Sequence, residues 1–154
     1  MIDYAMKRGV NYFDLGFIYH NGSAEYFICK ALVSRYNRAE YFLTDKMPLW
    51  TVQHPDELTR IFNLQLKRCG VSFFDVYLLH SIDGETLKTA ERVCAFDFLL
   101  RLREKGYAHQ IGFSFHGTTA MLASLLTKYD FIDIVQLSIN YEDWFWGMRK
   151  PCMK

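Results

Sequence analysis

Residues 9–19 read GVNYFDLGFIY, an apolar run that ends on a carboxylate, Asp14, with a tyrosine, Tyr19, five residues further on. Buried strands are ordinarily closed by turn residues. An acid at a strand end followed by an aromatic hydroxyl in the loop therefore points to chemistry at that end. Three later apolar runs also finish on polar residues, at Lys46, His80 and Ser114.

The rest of the chain alternates around these runs. A short helix closed by Gly9 precedes a first strand at 10–14. Asn21-Gly22 turns the loop, and Ser23 is placed to cap a helix with Glu25 in its first turn and Tyr26, Phe27, Cys29 and residues 30–33 along it. Residues 41–44 are a β-prone run leading to Asp45 and Lys46, and Pro48 stops it. Pro55 opens a helix whose Leu58, Ile61, Phe62, Gln65 and Leu66 keep a helical period up to Gly70. The near-continuous apolar run 73–79 predicts a parallel strand covered on both faces and stopping at His80. One long helix is expected over 85–105, then a strand at 110–115, a helix at 118–128 and a fifth strand at 132–137.

Five strands alternating with five helical segments give an α/β fold with a parallel sheet. An open doubly wound sheet binds its ligand at one switch point, usually beside a Gly-rich turn, and neither GxGxxG nor GxxxxGK[ST] occurs. In a (β/α)8 barrel every strand's C-terminal end faces one mouth. Asp14, Lys46, His80, Ser114 and, within the fifth strand, Gln136 would meet only in that arrangement. The expected fold is thus a partial (β/α)8 TIM barrel with about five of the eight strands and helices outside, residues 1–154 forming a single incomplete domain. After Tyr141 the pattern is lost, and Trp144 and Trp146 are candidates to line a substrate pocket.

At 154 residues, with eighteen basic and seventeen acidic side chains and no run of one sign, the chain offers no electrostatic footprint for nucleic acid or an anionic membrane. Cys29, Cys69, Cys94 and Cys152 lack the spacing of a zinc or iron–sulfur site and read as free thiols in a reducing cytoplasm. No apolar run approaches the about 20 residues of a membrane span, and the N-terminus lacks a signal-peptide core. Small molecules are the expected partners, together with self-association through two open barrel edges.

A tyrosine hydroxyl titrates near pH 10, and a neighbouring ammonium favours its phenolate. Lys46 can supply that ammonium, Asp14 can hold it by a charge-assisted hydrogen bond, and His80 can orient a carbonyl oxygen. Such a general acid suits proton delivery to an oxygen whose carbon has just gained a hydride, which calls for a nicotinamide cofactor. Taken one at a time these residues have plain structural readings, as turn, core or solvated side chains; their joint occurrence at successive strand ends favours a site. His20, His54, His109 and His116 are left as structural.

The ordered motifs GVNYFDLGFIYHNGSAE, FLTDKMP and FFDVYLLHSID resemble the signatures of the aldo-keto reductase family, from the first residues to about Asp143. The resemblance implies that Asp14, Tyr19, Lys46 and His80 form the catalytic tetrad, with Tyr19 as acid/base. It implies also that Ser114 in GFSFHG and Gln136 in VQLSINY bind the carboxamide of NADP (NADPH). Leu15 stands where the family usually has Thr, and Phe115 where many members have Asn. The DKMP, GFSFHG and NYEDW segments resemble a branch whose members often carry a C-terminal iron–sulfur module; no iron–sulfur cluster is expected in this chain. By resemblance the cofactor clamp lies on the seventh and eighth strands, so cofactor binding is expected to be impaired. The expected function is a cytoplasmic NADP-dependent oxidoreductase reducing an aldehyde or ketone to an alcohol. Competing readings are a truncated, inactive reductase fragment or a non-enzymatic cofactor-sensing barrel subunit. A Schiff-base aldolase using Lys46 leaves the Tyr19 spacing unexplained, and a metal-dependent hydrolase lacks an HxH pair at a strand end.

Overall fold

The computed structural model describes residues 1–139. Five strands, β1 (Tyr12–Asp14), β2 (Phe42–Met47), β3 (Phe74–Ile82), β4 (Ala108–Phe115) and β5 (Ile134–Leu137), form one sheet in the order β1-β2-β3-β4-β5, every pair parallel. Sequential order with no reversal has no switch point, which excludes the doubly wound alternative and gives the five consecutive strands of a partial barrel.

Alternation along the strands divides the side chains between two faces. Leu43, Met47, Tyr77, Leu79, Ile111 and Phe113 are all buried in the hydrophobic core beneath the helices. Their neighbours Thr44, Lys46, Val76, Leu78, Gly112 and Ser114 take the opposite, concave face. Gly112 is required there because a Cβ would stand 1.8 Å from the Ile134 carbonyl oxygen of the adjoining strand.

Helices α1 (Ile2–Lys7), α2 (Ala24–Ile28), α3 (Pro55–Cys69), α4 (Gly84–Arg92), α5 (Ala95–Glu104) and α6 (Thr119–Lys128) alternate with the strands. Pro55 takes the first position of α3, and Gly70 ends it at φ 71°. The Thr118 hydroxyl accepts from Met121 N and starts α6.

Three expectations are corrected. The single helix over 85–105 is two, because Cys94 adopts φ 55° and turns the chain between α4 and α5, letting Ala90, Val93, Ala95 and Phe96 all reach the core. The third strand does not stop at His80 but runs to Ile82, with the register shifting between Leu79 and Ile82 and Ser81 at φ 56°. Ser23 caps nothing with its side chain: its hydroxyl donates to the His20 carbonyl, and α2 continues as a π-helical turn at Cys29–Val33. Among the described residues no helix is long and apolar enough to cross a membrane.

Candidate active site

Parallel strands entering one sheet carry their C-terminal ends to the same side, and the polar residues read from the sequence collect there. Asp14 closes β1, Lys46 lies one residue before the end of β2, His80 sits at the β3 irregularity, and Ser114 faces Gln136 in register across β4 and β5. A cavity of about 250 Å³ is lined by Tyr19, Lys46, His80, Ser114 and Gln136, joined by His116, Leu137 and Ser138.

Lys46 is the centre of the arrangement. Its side chain is 1% exposed, and its ammonium donates to Asp14 Oδ1 at 2.6 Å, Asp14 Oδ2 at 2.7 Å and the Leu15 carbonyl at 2.7 Å. The Tyr19 hydroxyl oxygen lies 3.3 Å from the same nitrogen, which also stands 4.9 Å from the tyrosine ring centre. A buried ammonium is tolerable only with such partners, and Asp14 supplies the full countercharge through both oxygens.

The imidazole of His80 packs edge-on against Tyr19, with ring centres 5.7 Å apart, and against Trp50 at 5.0 Å. Burial, reinforced by the Lys46 charge, pushes His80 down to about 4, so the ring is neutral at pH 7. Its Nδ1 is buried and has no partner among the described residues. Gly16 passes so close that a Cβ would stand 2.9 Å from Tyr19 Cε1 and 3.1 Å from His80 Cε1.

Ser114 Oγ accepts from Ser81 N at 2.7 Å, steadying the left-handed residue next to His80. Gln136 Nε2 donates to Asp14 Oδ2 at 3.2 Å, joining β5 to β1, while its Oε1 is buried and without a partner among the described residues.

Two aromatic side chains lie at the site beyond those the sequence points to, His116, read there as structural, and Trp50. His116 shares the parity of Ser114 at the end of β4, and that alternation was a readable signal. Trp50 lies four residues after Lys46 in the loop beyond β2 and is half exposed; an aromatic in a loop at the C-terminal end of a strand was the available clue. Trp144 and Trp146 lie outside the described residues. No group of three or more His, Cys, Asp or Glu that could hold a metal ion is present among the described residues.

Solved structures with the same fold include an aldo/keto reductase from Brucella melitensis, at 24% identity and TM-score 0.69, covering 99% of this chain and 58% of that one. An aldo-keto reductase from Bacillus halodurans in its holo form matches at 19% and 0.73, covering 99% and 53%. A third, from Klebsiella pneumoniae in complex with NADPH, matches at 19% and 0.71, covering 96% and 52%. The chain thus spans little more than half the length of these structures. No curated protein matches its sequence. The model of the aldo/keto reductase family matches residues 1–151 as one continuous stretch, taking in every strand of the sheet and all six residues singled out at its C-terminal end. On that match the chain belongs to the aldo/keto reductase family.

Proposed function

We propose that Asp14, Tyr19, Lys46 and His80 are the proton-delivery site of an NADP(H)-dependent oxidoreductase that reduces an aldehyde or ketone to an alcohol, with Tyr19 as the general acid. The observation that carries this reading is the Lys46 ammonium, fixed by both oxygens of Asp14 and 3.3 Å from the Tyr19 hydroxyl. When the phenol gives its proton to the substrate oxygen, negative charge is left on an atom already facing that ammonium. The neutral imidazole of His80 is suited to donate a hydrogen bond to the same carbonyl oxygen. Trp50, packed on His80, offers an apolar wall for the substrate.

The residues present fit a nicotinamide amide. Gln136 Oε1 is a buried acceptor lacking a donor among the described residues, and a carboxamide N–H supplies one. Ser114 uses its oxygen to accept from Ser81 N and keeps its own proton to offer a carboxamide oxygen. When bound, the reduced nicotinamide supplies the hydride to the carbonyl carbon. The choice of NADP over NAD follows the family resemblance and the NADPH complex of the Klebsiella neighbour. Free Cys29, Cys69 and Cys94 fit a cytoplasmic protein. Residues 1–154 are read as part of one barrel domain, and the iron–sulfur branch rests on the DKMP, GFSFHG and NYEDW segments alone.

The test follows NADPH oxidation with aromatic aldehydes and quinones. Tyr19→Phe is expected to abolish turnover while leaving NADPH binding, read by fluorescence titration, unchanged. Undiminished turnover in Tyr19→Phe would overturn the assignment of the acid.

A further inference from the structure

On the face of β2 opposite the cavity, a second polar cluster lies where a hydrophobic core is expected. Asp45 is adjacent to Lys46 and therefore points the other way, into the layer between sheet and helices. It is 0% exposed, as are Glu25 from α2 and Gln65 from α3. Asp45 Oδ1 accepts from Lys46 N at 2.8 Å, and Oδ2 lies 3.8 Å from the Cys69 thiol. Gln65 Nε2 donates to the Lys46 carbonyl at 3.0 Å, and Tyr77 donates its hydroxyl proton to Gln65 Oε1. Both main-chain polar groups of Lys46 are thus held by side chains on the helix-facing side of the sheet.

The charges in this cluster do not balance. Consecutive residues of α3 bring the two acids together: Arg68 reaches Glu25 Oε2 at 3.1 Å and is the one cation bonded to either side chain among the described residues, while the Cys69 thiol lies 3.8 Å from Asp45 Oδ2. Lys46 directs its ammonium to Asp14 on the opposite face. Glu25 Oε1 is buried with no partner among the described residues. Two ionised carboxylates in one cluster, both out of water, would repel each other and leave that oxygen without a donor; one proton between them removes both costs.

We propose that Glu25 and Asp45 share a single proton at neutral pH, and that this singly charged pair, with Gln65 and Tyr77, is a positioning device that fixes the main chain of Lys46. The groups facing the pair support it from every side. Burial, with Glu25 as the largest neighbouring charge, pushes Asp45 well above the usual carboxylate range; Cys69, with Cys29 beside it, and Tyr77 are likewise pushed up by burial and by these two acids. Arg68 is the counterion of the one negative charge that the pair keeps. The role of Lys46 in proton delivery belongs to the reading above; the shared proton does not depend on it.

The test needs neither cofactor nor substrate. Infrared spectra of the chain at pH 7 are expected to show the carbonyl stretch of a protonated carboxyl that is absent in Asp45→Asn; no such band in the unsubstituted chain overturns the proposal. Because the folded carboxyl is raised, its stabilising contribution is complete at acid pH and is lost as pH rises through the raised value. Thermal stability should therefore fall toward alkaline pH in the unsubstituted chain and less steeply in Asp45→Asn, or in Glu25→Gln should that variant fold better. Equal slopes in all three would sink the shared proton. For the positioning role, hydrogen exchange at the Lys46 amide should be fast in Asp45→Ala and restored in Asp45→Asn. Exchange as fast in Asn as in Ala would refute it.

Discussion

The Lys46 ammonium stands 3.3 Å from the Tyr19 hydroxyl oxygen while Asp14 binds it through both carboxylate oxygens, so the charge that would stabilise a phenolate is held in place before any substrate arrives. Preorganised charge of this kind avoids reorganisation at the moment of reaction.

Replacing Lys46 by Met keeps the length and burial of the side chain and removes the ammonium. On the proposed mechanism turnover falls by about 10²–10⁴-fold, the range attached to general acid–base assistance. Steady-state kinetics with parallel NADPH titration check this. A matched loss of cofactor affinity would instead point to collapse of the cavity.

His80 gives a stability prediction with a definite sign. Its ordinary value of 6.5 is depressed to about 4 in the folded chain by burial. Between these values the unfolded chain binds a proton that the folded chain refuses. The stability present above pH 6.5 is therefore lost progressively as pH falls toward 4. Thermal melts across that window should show a steeper decline in the unsubstituted chain than in His80→Gln, the carboxylates being common to both.

Much of this was legible in the sequence, for physical reasons that differ by element. Apolar runs broken by Pro48 and Gly70 announce strands and helix ends because those residues constrain the backbone locally. The strand ends Asp14, Lys46 and His80 were readable because a polar residue at the end of an apolar run has no packing role. What could not be read depends on contacts between distant segments. The turn at Cys94 has no Gly or Pro to mark it and exists because Val93 and Phe96 must both reach the core. The bulge beyond His80 depends on Ser114, thirty-three residues away from Ser81, accepting the Ser81 amide proton. The buried carboxyls are hidden for the same reason: Glu25 looks like an ordinary residue of a helix's first turn until α3 and β2 close over it.

Gly16 permits the approach of Tyr19 and His80 to each other. A methyl there would stand 2.9 Å from the Tyr19 ring, closer than real Cβ atoms come, and 3.1 Å from the His80 ring, tighter than most of them. Gly16→Ala should leave the melting temperature nearly unchanged, because the side chains that must yield border an open cavity. It should cost on the order of 10²-fold in turnover, as expected when a reacting group is displaced by about 1 Å. Retained activity would show that the Tyr19 ring has freedom to move that the close packing denies.

Cys94 offers a way to stabilise the fold without touching the site. It holds φ 55° between α4 and α5 and is exposed, so the strain of its left-handed backbone is not offset by packing of its side chain. A non-glycine residue in this region costs about 1–2 kcal/mol, and glycine's greater loss of chain entropy returns about 0.5–1 kcal/mol of that. Cys94→Gly should therefore stabilise the chain by about 0.5–1 kcal/mol, visible as a rise of a few degrees in the melting temperature. Cys94→Ala, which removes the thiol and keeps the strain, should melt with the unsubstituted chain. A lower melting temperature for the glycine variant would mean that the Cβ at this turn contributes packing that outweighs its backbone strain.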